Sequence, residues 1–203
     1  SDESAQKSYG YVLDSGKMLK RMGGKRCVFH PAAQGKMERE EAVALTEERL
    51  KVLRDYIYLN HLEDLYFCPE TMGKIAQIGT LEEVVRFCKI DKVYLPAVDF
   101  GHLNAREQGS LKTVGDYRAR LEYMISELGY ERVKHFHVHF SKIQYSVKGE
   151  VRHLTFADTE YGPEFTPLAA ALKELKLEPY IVSESAGTQA EDALAMKRIY
   201  EAL

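Results

Sequence analysis

The sequence predicts an α/β fold of the (β/α)8-barrel (TIM) type, of which this chain carries the five C-terminal βα units. Three observations predict it. Apolar, strand-like runs alternate with helix-periodic stretches along the chain; none of the runs leads into a nucleotide-binding glycine motif; and every run carries a His, Asp or Glu near its C-terminal end.

The strand-like runs are Cys27–Pro31, Leu65–Glu70, Val93–His102, His135–Lys142 and Pro179–Ser185. Helical periodicity follows each, over Glu38–Tyr58, Thr80–Ile90, Thr113–Leu128, Phe165–Leu177 and Thr188–Leu203. A further helix is expected over Ser4–Met22, stopped by Gly23-Gly24. Strands separated by helices of this length imply parallel pairing. A full barrel takes about 250 residues, so either three more strands belong on the N-terminal side, outside this chain, or the five strands form an open doubly wound sheet. The opening Ser1-Asp2-Glu3-Ser4 carries no initiator methionine and is expected of a trimmed start. No Pro/Ser-rich linker interrupts the chain, so residues 1–203 read as one domain.

Composition narrows the class. With 45% hydrophobic and 29% charged residues the chain reads as an ordinary globular domain. No apolar run approaches the ~18 residues that span a bilayer, so no membrane partner is expected. Cys27, Cys68 and Cys88 are odd in number and far apart, which argues for reduced thiols, a cytoplasmic setting and no zinc–thiolate site. A net charge of −3 argues against a protein that coats nucleic acid generally, but leaves room for a local basic surface.

The strand ends carry His30, Glu70, Asp99 with His102, His137 with His139, and Glu184. In parallel α/β folds, ligands bind at the carboxyl ends of the strands. Five strands delivering His, Asp or Glu there bring those side chains around one axis. Carboxylates gathered in that way repel unless cations neutralise them, and a mixed imidazole–carboxylate set suits zinc, manganese or iron. His135, His137 and His139 alternate and share one face, of which only the histidine nearest the rim is needed as a ligand. Gly101–Leu111 reads as a polar loop. Lys142–Phe156 reads as a hairpin turning at Lys148-Gly149 that returns Arg152 and His153 to the site. Lys74, Arg106, Lys142, Lys148 and Arg152 are candidates for a basic rim.

Four segments carry a resemblance: Cys68–Lys74 (CPETMGK), Asp99–Arg106 (DFGHLNAR), Phe136–Lys142 (FHVHFSK) and Glu184–Leu194 (ESAGTQAEDAL). In them the chain resembles the endonuclease IV family of apurinic/apyrimidinic endonucleases, within the xylose-isomerase-like TIM barrels. The resemblance implies a metal-dependent phosphodiesterase that cleaves DNA at abasic sites. It implies two or three zinc ions, with manganese as an alternative, held by His30, Glu70, Asp99, His102, His137, His153 and Glu184. Glu184 and Glu70 would be the catalytic carboxylates. The family's aspartate near His153 falls at Val151, and on a regular strand Glu150 points away from the site. A further family histidine and its main DNA-inserting loop belong upstream of Ser1. Glu70, Asp99, His137 and Glu184 alone resemble the four-ligand manganese site of sugar isomerases and epimerases in the same superfamily. A small sugar is therefore the alternative substrate.

Overall fold

A computed structural model describes residues 2–203, so Ser1 lies outside the described residues. Helix α1 (Asp2–Arg21) leads into β1 (Arg26–Phe29), a short β2 (Ala32–Ala33) and α2 (Arg39–Leu59). Strand β3 (Tyr66–Pro69), the short β4 (Gln77–Ile78) and α3 (Leu81–Cys88) follow, then β5 (Ala97–Asp99), α4 (Phe100–Arg106), α5 (Val114–Leu128) and α6 (Tyr130–Val133). The last part runs β6 (His137–Phe140), β7 (Ile143–Ser146), β8 (Gly149–His153), α7 (Phe165–Glu174), β9 (Tyr180–Ser183) and α8 (Gln189–Ala202).

The five expected strands are β1, β3, β5, β6 and β9. They stand side by side in chain order, and every pairing between them is parallel. Strands β3 and β5 are joined through single bridges, Phe67 with Tyr94 and Glu70 with Ala97. Among the described residues no strand pairs with the outer edge of β1 or of β9.

Alternation fixes the two faces of this sheet. Phe67, Val98, Val138 and Phe140 are fully buried against the helices. The alternate residues share the inner face, because register partners lie on the same side. Val28 is opposite Cys68, Ala97 opposite His137, and Asp99 opposite His139. At the N-terminal ends of the strands the Arg26 guanidinium lies 3.7 Å from the Tyr180 ring centroid, linking β1 to β9 by a cation–π contact. The inner face thus carries Arg26 and Tyr66 toward the N-terminal ends of β1 and β3, with Glu70, Asp99, His139 and Glu184 toward the C-terminal rim.

One expected loop is a helix. The stretch after Asp99 forms α4, whose first turn is capped by Asp99 itself: Asp99 Oδ1 accepts the His102 N–H at 2.8 Å. Polarity misled the sequence reading there, since the polar residues of this short helix are buried with the site rather than exposed. Elsewhere the helix starts follow local chemistry. Thr80 with Glu83, and Thr113 with Asp116, form reciprocal capping boxes at the starts of α3 and α5.

Glu83 does more than cap. Its carboxylate accepts the N–H groups of Gly79 and Thr80 and pairs with Nε and Nη2 of the Arg39 guanidinium, at 2.7 and 2.6 Å. Burial alone would raise its pKa, but Arg39 and the two N–H groups outweigh burial and hold it below the usual carboxylate range. Its stabilising effect is therefore complete above the unfolded-state pKa, and is lost as pH falls through the lower folded-state value. Glu83→Gln should cost about 1.5–3 kcal/mol at pH 7. Urea titrations of parent and variant should converge as the pH falls below about 4.

Candidate metal centre

The rim gathers two groups of ligand side chains. Glu70, Asp99, His139 and Glu184 each offer one atom within 4.8 Å of the others, and His102, Glu150 and His153 form a second group by the same measure. In the first, His139 Nδ1 lies 2.8 Å from Glu70 Oε1 and 3.1 Å from Glu184 Oε1. His30, largely exposed, approaches the same glutamate from β1, with Nε2 3.4 Å from Oε2. The groups adjoin: His102 Nδ1 is 3.5 Å from Asp99 Oδ2 and 3.8 Å from Glu70 Oε1, while its Nε2 faces Glu150 Oε2 at 3.5 Å. His153 Nε2 lies 3.9 Å from Glu150 Oε1.

Six of the seven sequence-derived ligands thus meet at the rim: His30, Glu70, Asp99, His102, His153 and Glu184. His137 sits one pleat lower, buried, with Nδ1 lacking a hydrogen-bond partner and its ring packed edge-on against His139. Burial, aided by the neighbouring His139 and Arg26, pushes its pKa down to about 4 and keeps the imidazole neutral. The geometry brings His139 to the carboxylates in its place. The signal was in the alternation, since of the three histidines on this strand His139 lies nearest the rim.

Glu150 reverses an expectation. Regular pleating turns Glu150 and His153 to opposite faces. In the hairpin, however, Tyr145 pairs with Glu150 and Gln144 with Arg152, so Val151 has no partner on β7. This one-residue bulge shifts the alternation and puts Glu150 and His153 on the same face. Gly73 makes room for it, since a Cβ there would meet Glu150 Cβ at 2.6 Å and His102 Cδ2 at 3.0 Å.

Buried polar partners orient both histidines of the second group. The Thr71 carbonyl accepts from His102 Nδ1 at 2.9 Å, which leaves Nε2 free to face Glu150. Ser141 Oγ is hydrogen-bonded to His153 Nδ1 at 2.8 Å. Thr71 also receives the Asp99 N–H on its hydroxyl, so it ties the two groups together. Fixing one ring nitrogen in this way is what metal-binding histidines need.

The charges of the rim are coupled. Glu70 remains ionised: burial acts to raise its pKa, but hydrogen bonds from His139 and His30 outweigh it and bring it down to about 2. Glu184 is pushed up to about 7, by burial first, with Asp99 and Glu70 adding to the rise against His139. Burial would lower His102, yet Asp99, Glu70 and Glu150 together raise it. Asp99 Oδ2 is buried without a hydrogen-bond partner. A mixed oxygen and nitrogen donor set with an orphaned carboxylate oxygen fits a borderline divalent metal.

The expected basic rim is only partly present. Arg106 spends its guanidinium on the carbonyls of Met72, Lys74, Ile75 and Gln77. Lys142 is buried, donating to the Asp158 carbonyl and pairing with Glu164. Lys74, Lys148 and Arg152 stay exposed. The three cysteines are free, with Cys68 and Cys88 buried, and no helix among the described residues is long and apolar enough to cross a membrane.

Glu150→Ala should leave His102 and His153 without their carboxylate and disable the second group. Elemental analysis of the purified variant should then show about one metal ion fewer per chain than the parent. Unchanged stoichiometry would remove Glu150 from the centre.

The comparisons agree with the fold. An uncharacterized protein of Methanocaldococcus jannaschii is 28% identical over 196 residues, covering 97% of this chain and 70% of the relative. Among solved structures, a D-tagatose 3-epimerase-like protein superposes with a TM-score of 0.68 at 17% identity, over 99% of this chain and 70% of that one. Endonuclease IV from Thermus thermophilus superposes with a TM-score of 0.64 at 18% identity, over 97% of this chain and 68% of that one. Such identities establish the fold alone. The family model described as xylose isomerase-like TIM barrel matches residues 1–200, and the chain belongs to that family.

Proposed function

We propose that the protein is a metal-dependent phosphodiesterase of the endonuclease IV type, acting on DNA at abasic sites. The observation that carries this reading is the second ligand group, His102, Glu150 and His153, directly beside Glu70, Asp99, His139 and Glu184. A single-metal sugar enzyme needs only the first four. In this reading those four, with His30 at their edge, hold one ion, and His102, Glu150 and His153 hold another. Zinc is the metal the donor set favours, with manganese as the alternative. Further βα units, paired on the free edges of β1 and β9, would complete the barrel and with it the substrate cleft.

Metal ions held there would bring a bound water's pKa close to neutrality and offset charge building on the phosphate and leaving oxygen. The chain's own residues divide the remaining work. Glu184, with a carboxyl pushed up to about 7 and 32% of its side chain exposed, suits the role of accepting a proton from the attacking water at a carboxylate oxygen. Glu70 stays charged between His139 and His30 and holds both rings in place. Thr71 and Ser141 keep Nε2 of His102 and His153 turned toward Glu150.

A second reading, a sugar isomerase or epimerase, draws on the completeness of the first group by itself and on the fold likeness to the epimerase-like structure. There Glu70 and Glu184 would move a proton beside a sugar carbonyl.

The double change Glu150→Gln with His153→Ala separates the two readings. It should lower the metal content by about one ion. It should also reduce nicking of a duplex with a single abasic analogue by about 10³-fold, the loss of several kcal/mol of transition-state stabilisation. Unchanged metal content, with a parent protein that never nicks such a duplex yet epimerises a ketose, would transfer the assignment to the sugar enzyme.

A further inference from the structure

We infer that the β7–β8 hairpin tip and the loop after β3 form a docking surface for the phosphodiester backbone of a duplex; this rests on the nuclease reading and assigns its substrate-contacting edge. Two segments make the surface, residues 74–76 and 146–152. They are locked together by Ile75 N–H donating to the Lys148 carbonyl at 3.1 Å and Glu150 N–H donating to the Gly73 carbonyl at 3.1 Å. Gly149, at φ +87°, is needed for this approach, because a Cβ there would lie 2.1 Å from the Gly73 carbonyl oxygen. The Arg106 guanidinium fixes the loop from behind through four of its carbonyls. The surface is therefore built before any ligand arrives.

Its chemistry is one-sided. Lys74, Lys148 and Arg152 are exposed, and none of the three has an ion-pair partner among the described residues. The only acidic residue in the two segments, Glu150, is turned inward to His102 and His153. Between the cations stand Val147, 88% exposed, Val151 and Ile75. This charge bias occurs in a chain of net charge −3, so it is local. Three unpaired cations next to a phosphodiesterase centre complement a phosphate backbone, while the protruding valine offers an apolar contact for the sugar or base edge of a groove. A second copy of this chain is disfavoured as occupant, because a self-complementary contact would juxtapose like charges. The bulge at Val151 links the surface to the site, sending Glu150 to the ligand group while Val151 and Arg152 stay outside.

The test measures binding of the metal-loaded protein to a duplex containing one abasic analogue, by fluorescence anisotropy across a salt series. The triple charge reversal Lys74→Glu, Lys148→Glu, Arg152→Glu should weaken binding at least about tenfold at 0.1 M salt. It should also flatten the slope of log K against log salt by about 2 to 3, since each phosphate contact contributes roughly −0.9. Val147→Ser gives an independent, charge-neutral reading of the apolar contact, and should weaken binding with little change in slope. Metal content and circular dichroism equal to the parent's show that the variants fold. If the parent binds and nicks while both variants bind like it, the surface is wrong and the nuclease reading stands. If the parent binds through these residues without nicking, the surface stands and the nuclease reading falls. Failure of the parent to bind any duplex, or binding by these residues only to vesicles of anionic phospholipid, overturns the surface.

Discussion

Three carboxylates, Glu70, Asp99 and Glu184, approach one another at the ends of buried strands, and the layout of the rim follows from having to hold them there. Two like charges about 4 Å apart repel by roughly 4 kcal/mol at an effective dielectric of 20, a sizeable share of the ~5–15 kcal/mol that stabilises a whole domain. The protein meets part of this locally. His139 and His30 hold Glu70 ionised, and Glu184 shares the strain by a raised pKa. What remains is Asp99 Oδ2, buried without a hydrogen-bond partner. Added positive charge, from protonated imidazoles or a bound cation, would stabilise side chains arranged in this way, which is what makes the cluster a candidate metal centre.

Rigidity comes from residues that each serve more than one group. Asp99 ends β5, caps α4 and lies beside His102. Thr71 bonds the Asp99 backbone through its hydroxyl and His102 through its carbonyl, so strand, helix and histidine move as one body. Gly101 completes this packing from the other side, since a Cβ there would meet the Ser141 carbonyl at 2.6 Å. Ser141 in turn holds His153. Parallel strands set the distances along the rim, and these short polar links set the ring orientations.

Much of this could be read from the chain, for a physical reason. Strand alternation and helix periodicity are local properties, so the five βα units and the site-bearing strand ends were visible in residues such as Glu70, Asp99 and Glu184. What escaped depends on contacts distant in sequence. Helix α4 is polar because it lines the centre, and composition alone read it as a loop. The choice between His137 and His139 depends on how far β6 rises relative to β3 and β9, a matter of register. Glu150 was hidden by a single unpaired residue, Val151, and no property of a valine announces a bulge. Arg106 and Lys142 looked available to substrate because a sequence shows charges without the carbonyls and carboxylates that engage them.

That bulge bears on how the centre differs from the pattern its sequence resembles. The expected aspartate position holds a residue that cannot bind metal, and on a regular strand that substitution would remove the ligand. An unpaired residue at the same place changes the parity of the strand and lets the preceding glutamate reach inward with its longer side chain. The compensation requires that nothing occupy the space Glu150 now fills, and Gly73 meets that condition on the facing loop. The glycine, the bulge and the glutamate therefore form one unit. Changing the glycine to any larger residue would set its Cβ against Glu150 and His102, so the second ligand group depends on a backbone position that has no side chain of its own.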